Sequence, residues 1–214
     1  MPAIVDHDAR RLEIAGAVGR LVARGGIQAV TVRSAAKEAG FSTAVIAHYF
    51  HNKEDLMNFT YLSARDRTRQ RVERALHAGK SVFDCLKECL PTNTSQCNDW
   101  IVWFGLWGIA AGNPVLEKER SKGLSEASAL FVDVLESAKS RGELAKSVDC
   151  KTQAERLLVL INGIATLWVQ MPEYWKAKAQ LSLLKSELES IVTASPSESR
   201  AIAEDAIVKE SAKA

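Results

Sequence analysis

Residues 31–50 decide the fold, and they read Thr-Val-Arg-Ser-Ala-Ala-Lys-Glu-Ala-Gly-Phe-Ser-Thr-Ala-Val-Ile-Ala-His-Tyr-Phe. Thr31 and Ser42 are residue types that cap helix N-termini, so each predicts the start of a short helix. Gly40, between the two helices, can adopt the left-handed backbone conformation that a tight turn requires. The stretch therefore predicts a helix-turn-helix over residues 31–50, a motif whose second helix enters the major groove of DNA.

Apolar side chains in this stretch recur at positions that can pack together, namely Val32, Ala35, Ala36, Ala39, Phe41, Val45, Ile46 and Phe50. The opposite side of the second helix then faces outward. Its groove-facing end carries four small side chains, Thr43, Ala44, Val45 and Ala47. A threonine can hydrogen-bond a base edge, and an alanine or a threonine methyl group can contact the methyl group of thymine. We therefore expect these residues to read bases.

Other side chains of the motif are suited to phosphate oxygens, and these are Thr31, Ser42, His48, Tyr49 and Lys53. Such contacts set the position of a protein on DNA rather than its sequence preference. Arg33 can do the same, or it can reach a minor groove or a base edge. Thr31 and Ser42 also serve as helix caps. Lys53 in the first turn of a helix is unfavourable against the helix dipole unless an anion lies near, which favours a phosphate contact.

Helical periodicity extends outward from the motif over nearly the whole chain. A first helix is predicted over 8–24, where Gly25-Gly26 ends it, and Asn52 with Asp55 starts a long fourth helix. Further amphipathic segments follow at Val82–Leu90, Asp99–Ala111, Ser121–Ser140, Thr152–Met171 and Glu173–Val192. The fold class predicted is all-α, with an N-terminal three-helix bundle that contains the helix-turn-helix and a C-terminal antiparallel helical bundle, about nine to ten helices in total.

The change along the chain, from basic helical segments to more apolar ones, predicts three parts. Residues 1–52 form the DNA-binding domain, and residues 53–193 form a ligand-sensing and dimerisation domain. Residues 194–214 are a tail, either a short helix or disordered. Residues 1–74 carry 12 Lys and Arg against 8 Asp and Glu, whereas the remainder carries 16 against 18. A basic N-terminal part followed by a slightly acidic remainder, called the body below, fits contact with a polyanion at one end only.

The N-terminal residues include two acidic side chains and no long apolar run, so they predict no signal peptide. No stretch of about 18 uncharged apolar residues predicts a membrane span. We therefore expect a cytoplasmic protein with reduced thiols. Cys85 and Cys89, followed by Cys97, invite a metal or redox interpretation, but their spacing matches no structural zinc motif. Buried free cysteines are commonly small apolar residues, and we expect no metal site.

The segment from Asp8 to about Met57, called the head below, resembles the DNA-reading head of the TetR family of transcriptional regulators. The family pattern is matched by Gly40-Phe41-Ser42, Ile46, Ala47-His48-Tyr49-Phe50 and Lys53-Glu54-Asp55-Leu56. Ala47 departs from it, because the family usually has a tyrosine there that contacts the DNA backbone. The resemblance implies a DNA-binding regulator without a cofactor or enzymatic activity. It also implies a repressor that a small-molecule effector releases from its operator, although activation stays open.

From Asn98 the chain resembles one branch of that family, the choline-responsive repressors of betaine synthesis. Trp100-Ile101-Val102-Trp103-Phe104-Gly105-Leu106-Trp107 and Asn113-Pro114-Val115-Leu116 carry this likeness. Trp100, Trp103 and Trp107 share one side of a helix, and aromatic cages bind quaternary ammonium groups. The candidate effector pocket comprises Trp100, Trp103, Phe104, Trp107, Asn162, Trp168 and Met171. The effector is then a quaternary ammonium compound or an apolar molecule, although these tryptophans can equally serve as core packing.

A single short reading head covers only a half-site of DNA, so we expect a homodimer on a palindromic operator. The family resemblance implies a four-helix interface built from the last two long helices. Among the segments predicted here, Leu124–Ser140 and Ala154–Met171 are assigned to it. The interface residues would be Ala127, Phe131, Leu135, Leu157, Ile161, Ile164 and Trp168. The same apolar side chains can also serve the core of one protomer.

Two other functions stay open from the sequence. One is an effector-independent DNA-organising protein of the same fold. The other is a helical enzyme or small-molecule-binding protein with an incidental helix-turn-helix. Against the enzyme, the sequence offers no nucleophile–base pair, no carboxylate couple on one helix face and no phosphate-binding glycine loop.

Overall fold

The computed structural model describes residues 6–110 and 114–193. Within these ranges the chain forms nine α-helices and no strand, which confirms the all-α prediction. They are α1 (His7–Gly25), α2 (Val32–Ala39), α3 (Thr43–Tyr49), α4 (Lys53–His77), α5 (Val82–Leu86), α6 (Thr94–Ala110), α7 (Pro114–Ser140), α8 (Cys150–Gln170) and α9 (Ala177–Thr193). Short 3-10 turns cover Ile27–Ala29 and Lys87–Cys89. The predicted tail lies outside the described residues.

The three predicted N-caps all cap helices. The side chains of Thr31, Ser42 and Asn52 each accept a hydrogen bond from the backbone N–H three residues on. The carboxylate of Asp55 in turn accepts a hydrogen bond from the backbone N–H of His51, at 3.0 Å. These bonds satisfy backbone donors that a helix start leaves without partners, so they fix where α2, α3 and α4 begin.

Two helices of the body begin earlier than predicted. α6 begins at Thr94 rather than Asp99, and α7 begins at Pro114 rather than Ser121. Proline suits the first position of a helix, because its missing N–H has no partner there and its φ is already helical. The predicted segment Val82–Leu90 divides into the short α5 and a 3-10 turn.

The core under the head joins helices from both predicted domains. Ile14 and Val18 of α1 and Ile46 of α3 are buried with Leu56 of α4 and Val102 of α6. A boundary after residue 52, as predicted from the sequence, therefore does not coincide with a break in packing.

The second core lies within the body. Leu86 of α5, Leu135 of α7, Leu157 of α8 and Leu184 of α9 are buried in it. Trp103 and Trp107 of α6 pack against both cores. These two tryptophans therefore lie where head and body meet.

A glycine lets α6 pass close to the head. A Cβ atom at Gly105 would lie 3.0 Å from two side-chain carbons of Ile27, which belongs to the turn between α1 and α2. So short a distance would require the end of the Ile27 side chain to shift by a few tenths of an ångström if position 105 carried a side chain.

Candidate DNA-binding surface and ligand cavity

The turn of the helix-turn-helix forms at Gly40. This residue has φ 75° and ψ 25°, the left-handed conformation that a side chain disfavours. The backbone N–H of Phe41 donates to the carbonyl of Ala36 at 2.9 Å and closes the end of α2. The backbone can then reverse into α3 within three residues.

α3 is attached by its inner side and leaves its outer side open. Ile46 and the C-cap Phe50 are buried in the head core. Of the predicted DNA contacts, Val45 and Tyr49 are half-buried, and the others are exposed, namely Thr31, Arg33, Ser42, Thr43, Ala44, Ala47, His48 and Lys53. The structure thus brings these side chains to one end of the molecule and leaves most of them exposed.

Ion pairs hold α2 against α1. Arg20 Nε donates to Glu38 at 2.9 Å, and the guanidinium of Arg24 also donates to this carboxylate. Hydrogen bonds from Arg24 and then Arg20 lower the pKa of Glu38 below its ordinary value. These contacts fix the first helix of the motif on its scaffold.

An aromatic cluster, which the sequence reasoning did not find, connects α1 to the end of α3. The ring of His7 lies 4.7 Å from that of Tyr49 and 5.4 Å from that of His48, measured between centroids. His7 begins α1 and is exposed, so it extends the surface formed by α3. No local pattern reveals this contact, because about forty residues separate its partners.

Lys53 has a partner within the head. Its Nζ donates to the backbone carbonyl of Ile27 at 3.3 Å. This carbonyl oxygen compensates Lys53 for its place at a helix start, where the sequence predicted an anion instead. Lys53 connects the start of α4 to the turn between α1 and α2.

A cavity of about 430 Å³ lies in the body and is mostly apolar in its lining. Nine residues of α4, from Phe59 to Val72, line it. α6 contributes three tryptophans, and α7 and α8 supply most of the remaining wall. Of the predicted pocket residues it brings together Trp100, Trp103, Trp107 and Asn162. Its volume falls in the range of small-molecule sites.

The structure places the other three predicted pocket residues away from this wall. The ring of Phe104 packs on Trp100 and Trp107, at 5.4 and 5.3 Å between centroids. Trp168 is half-buried against the body core. Met171 follows the end of α8 and is 48% exposed. The sequence shows that these residues are apolar, but it does not show in which direction each side chain points.

Asn162 has one half of its amide engaged. Its Nδ2 donates to the carbonyl of Leu158 one turn earlier, at 2.8 Å. Its carbonyl oxygen is the part of the side chain left to act as an acceptor. Asn162 is thus the polar group that α8 contributes to the cavity wall.

A buried ion pair connects the cavity to α4. Asp99 on α6 is 1% exposed, and its carboxylate accepts from Arg67 at 2.5 Å and from Arg71 at 3.2 Å. Trp100, the next residue, lines the cavity and donates its indole N–H to the carbonyl of Cys89 at 2.7 Å. The end of α6 that bears Trp100 is therefore fixed to α4 by charge.

Five of the seven residues predicted for the dimer interface lie inside a single chain. Phe131, Leu135, Leu157, Ile161 and Ile164 are buried inside a single chain, in the body core. Ala127 lines the cavity, and Trp168 is half-buried against the same core. The apolar sides of α7 and α8 face each other, so they are unavailable to a second copy.

The cysteines are free thiols in apolar surroundings. Cys85, Cys89 and Cys150 are buried, and Cys97 is half-buried. Burial raises the pKa of Cys89, which lines the cavity, to about 12. A thiol with so high a pKa is neutral and a poor nucleophile at neutral pH. In the part of the chain that the structure describes, no three metal-ligating side chains form a group that could hold a metal ion.

Two family models match the chain. Residues 16–58 match the model of bacterial regulatory proteins of the tetR family, and residues 78–193 match that of the BetI-type transcriptional repressor C-terminal domain. The first covers the helix-turn-helix, and the second covers α5 to α9, which include the part of the cavity wall that lies outside α1 and α4. Among the helices that the structure describes, none is long and apolar enough to cross a membrane.

Individual proteins agree with these matches. The chain is 28% identical to the regulator PksA of Bacillus subtilis over 169 residues, which cover 77% of this chain and 81% of PksA. It is 25% identical to the regulator BetI of Burkholderia cenocepacia over 179 residues, or 79% and 86% of the two chains. A regulator from Saccharomonospora viridis, solved in complex with choline, superposes with a TM-score of 0.72 at 22% identity and covers 85% of this chain and 96% of that one.

The second family model alone spans more than half of the chain, and the first contains the helix-turn-helix. The chain therefore belongs to the TetR family of DNA-binding transcriptional regulators and carries a BetI-type C-terminal domain.

Proposed function

We propose that this chain is a homodimeric repressor whose two heads bind the half-sites of a palindromic operator. A small molecule in the cavity releases it from that operator. The observation that carries the proposal is the course of α4. This helix begins at Lys53, directly after the helix-turn-helix, and it lines the cavity from Phe59 to Val72. A ligand there contacts the helix that holds the head.

The base-reading residues in this proposal are Thr43, Ala44, Val45 and Ala47, at the start and on the outer side of α3. Phosphate contacts come from Thr31, Arg33, Ser42, His48 and Tyr49. Lys53 can also donate to a phosphate, because its ammonium group has two N–H donors besides the one that the Ile27 carbonyl accepts. His7 is added to this set because its ring packs on the rings of His48 and Tyr49. A small α3 surface favours contacts with thymine methyl groups.

The dimer interface in this proposal uses α8 and α9 instead of α7 and α8. On α8, Val159, Gly163 and Leu167 are exposed at four-residue spacing along one side, and Val159 is 74% exposed. α9 adds exposed Leu183. Large exposed apolar side chains on two adjacent helices favour burial against a second copy.

Release follows from differential affinity. A ligand that binds better when α4 is displaced shifts the population toward the conformation with displaced heads. Two heads with altered spacing no longer fit successive major grooves, so operator affinity falls. The choline complex of the Saccharomonospora viridis regulator supports a small-molecule site in a protein of this fold.

The proposal is tested on operator DNA identified by footprinting the region that flanks the gene for this chain. Fluorescence anisotropy then measures the affinity of the purified chain over a range of salt concentrations. Arg33→Ala should weaken binding to all sequences and reduce the salt slope by about 1 if Arg33 contacts one phosphate. Lys146→Ala, in the loop between α7 and α8, is the matched control and should change neither quantity.

The result against this proposal is weak binding that is equal on operator and unrelated DNA. An effector-independent DNA-organising protein would instead bind scattered sites, and no metabolite extract would change its affinity.

A further inference from the structure

We infer that the cavity binds amphipathic organic acids, with an apolar aromatic or acyl body and an anionic, hydrogen-bond-accepting head, in preference to quaternary ammonium compounds. The inference concerns the chemical class of the ligand, and it depends on the proposed function only for the role of the cavity as the effector site. It comes from the donors, charges and apolar surface that line the wall.

Two tryptophans that line the cavity each carry a hydrogen-bond donor that has no acceptor. The indole Nε1 atoms of Trp103 and Trp107 are buried, and neither has a hydrogen-bond partner among the described residues. An indole N–H can only donate, so a ligand with an acceptor within reach of it would satisfy it. Trp100 differs, because its N–H already donates to a backbone carbonyl. If a ligand brings no acceptor, the two donors stay unsatisfied and their desolvation penalty is not offset.

The charges at the cavity favour an anion. Arg120 lines the wall and makes no ion pair with any residue that the structure describes. The two acidic side chains of the lining are already paired, since Asp66 accepts from Arg69 at 2.5 Å and Glu126 accepts from Arg65 at 2.8 Å. A cationic ligand finds these carboxylates neutralised by arginines, whereas an anionic one finds an arginine with no acidic partner.

The remaining carboxylate near the tryptophans is also taken. Asp99 precedes Trp100, but it is buried and bound to both Arg67 and Arg71. A cage for a quaternary ammonium group needs open aromatic faces around the cation. Here Trp100 packs edge-to-face with Trp103, with 4.7 Å between ring centroids, so these rings contact one another.

The rest of the lining fits an apolar body. Phe59 and Leu62 of α4, Leu130 and Phe131 of α7 and Leu158 of α8 supply aliphatic and aromatic surface. A cavity of about 430 Å³ is larger than a small quaternary ammonium such as choline needs. A body that fills it gains affinity from the apolar area that it removes from water.

Three probes with one body and different heads test the inference: 4-phenylbutyrate, 4-phenylbutanol and 4-phenylbutyl-trimethylammonium. Isothermal titration calorimetry measures their affinity for the full chain without DNA. The acid should bind at least about tenfold more tightly than the ammonium compound, with the alcohol between them. Tightest binding by the ammonium compound overturns the inference, as does failure of all three to bind.

Variants assign the effect to residues. Arg120→Ala should weaken binding of the acid about tenfold and leave the alcohol unchanged. Trp103→Phe and Trp107→Phe keep an aromatic ring without the N–H and should weaken both the acid and the alcohol. Lys118→Ala removes a positive charge from the same helix outside the lining and is the control. Equal loss of acid and alcohol in Arg120→Ala contradicts the charge argument.

Failure of this inference and failure of the proposed function give different results. A probe that binds as expected but leaves operator affinity unchanged supports the ligand class and overturns release through the cavity. Release of the operator by the ammonium probe alone supports release and overturns the ligand class.

Discussion

Asp99 accepts a hydrogen bond from Arg67 at 2.5 Å, and this contact joins the helix that carries the cavity tryptophans to the helix that begins at the reading head. The carboxylate is buried, whereas Arg67 is about a third exposed. Since Trp100 is the next residue on α6, a ligand that displaces this tryptophan also moves the acceptor that Arg67 and Arg71 share. In the proposed mechanism, this pair would couple the cavity to the head.

Asp99→Asn should weaken that coupling and lower stability. The amide retains an acceptor oxygen but loses the charge, which leaves Arg67 without a counterion and Arg71 with Glu88 alone, at 3.8 Å. We expect the free energy of unfolding to fall by about 1–3 kcal/mol, at the low end because Arg67 is partly solvated. Urea denaturation measures this change, and anisotropy with operator DNA should show weaker release by ligand.

Glu73→Gln provides the control for Asp99→Asn. Glu73 pairs with Arg69 on the surface of α4, at a spacing of four residues. A pair of this kind contributes about 0–1 kcal/mol, so little stability should be lost. If both variants lose equal stability and release equally well, the Asp99 pair has no special role in coupling.

Gly105→Ala should push α6 from the head. The added methyl group would lie 3.0 Å from two side-chain carbons of Ile27, so either these carbons or the turn that bears them must shift. We expect a loss of about 1–2 kcal/mol in stability and weaker operator binding. Gly108→Ala lies one turn further along α6 with nothing within 4 Å, and it should stabilise the helix by about 0.5–1 kcal/mol. Identical behaviour of the two variants would refute this close contact.

Val159→Asp should dissociate the proposed dimer. The side chain is exposed in the single chain, so an aspartate costs the fold little, but it would bury a charge between two copies. Sedimentation velocity should show self-association at least about tenfold weaker, with helical content by circular dichroism unchanged. Ala145→Asp, in the exposed loop before α8, is the control. A dimer that survives Val159→Asp excludes this face of α8 from the interface.

Cys89 should resist alkylation in the folded protein. Its pKa is raised to about 12 by burial, above the ordinary value of about 8.5, so the neutral thiol predominates at pH 8. Iodoacetamide at pH 8 should label this residue only after urea unfolds the chain, as read by peptide mass spectrometry. Rapid labelling of Cys89 in the native protein would show that the thiolate forms there, and it would reopen a redox role.

The head could be predicted closely from the sequence because its signals are local. Thr31, Ser42 and Asn52 cap the nearest helix, and the φ of Gly40 is a property of one residue. The direction in which body residues face could not be predicted, since an apolar stripe identifies a buried side without naming its partner. Phe131 and Leu157, which the family resemblance assigns to a dimer interface, pack within one chain.

Long-range contacts of the site also left no local trace. The sequence shows Asp99 beside Trp100, but not that Arg67 and Arg71 reach this carboxylate from another helix. It shows a lysine at position 53, but not the carbonyl of Ile27 beside it. Helical spacing alone likewise predicts an aromatic cage of tryptophans. In the structure, the rings of Trp100 and Trp103 pack on each other.

The most direct test of the account fills the cavity from within. Ala127→Phe adds a ring to a residue that lines the cavity, whereas Ala129→Phe makes the same change at an exposed position on α7. Anisotropy measures operator affinity of both variants once sedimentation and circular dichroism show intact fold and assembly. We expect Ala127→Phe to weaken operator binding at least about tenfold and Ala129→Phe to leave it unchanged. Equal, undiminished affinity in both variants would contradict coupling between the cavity and the reading head.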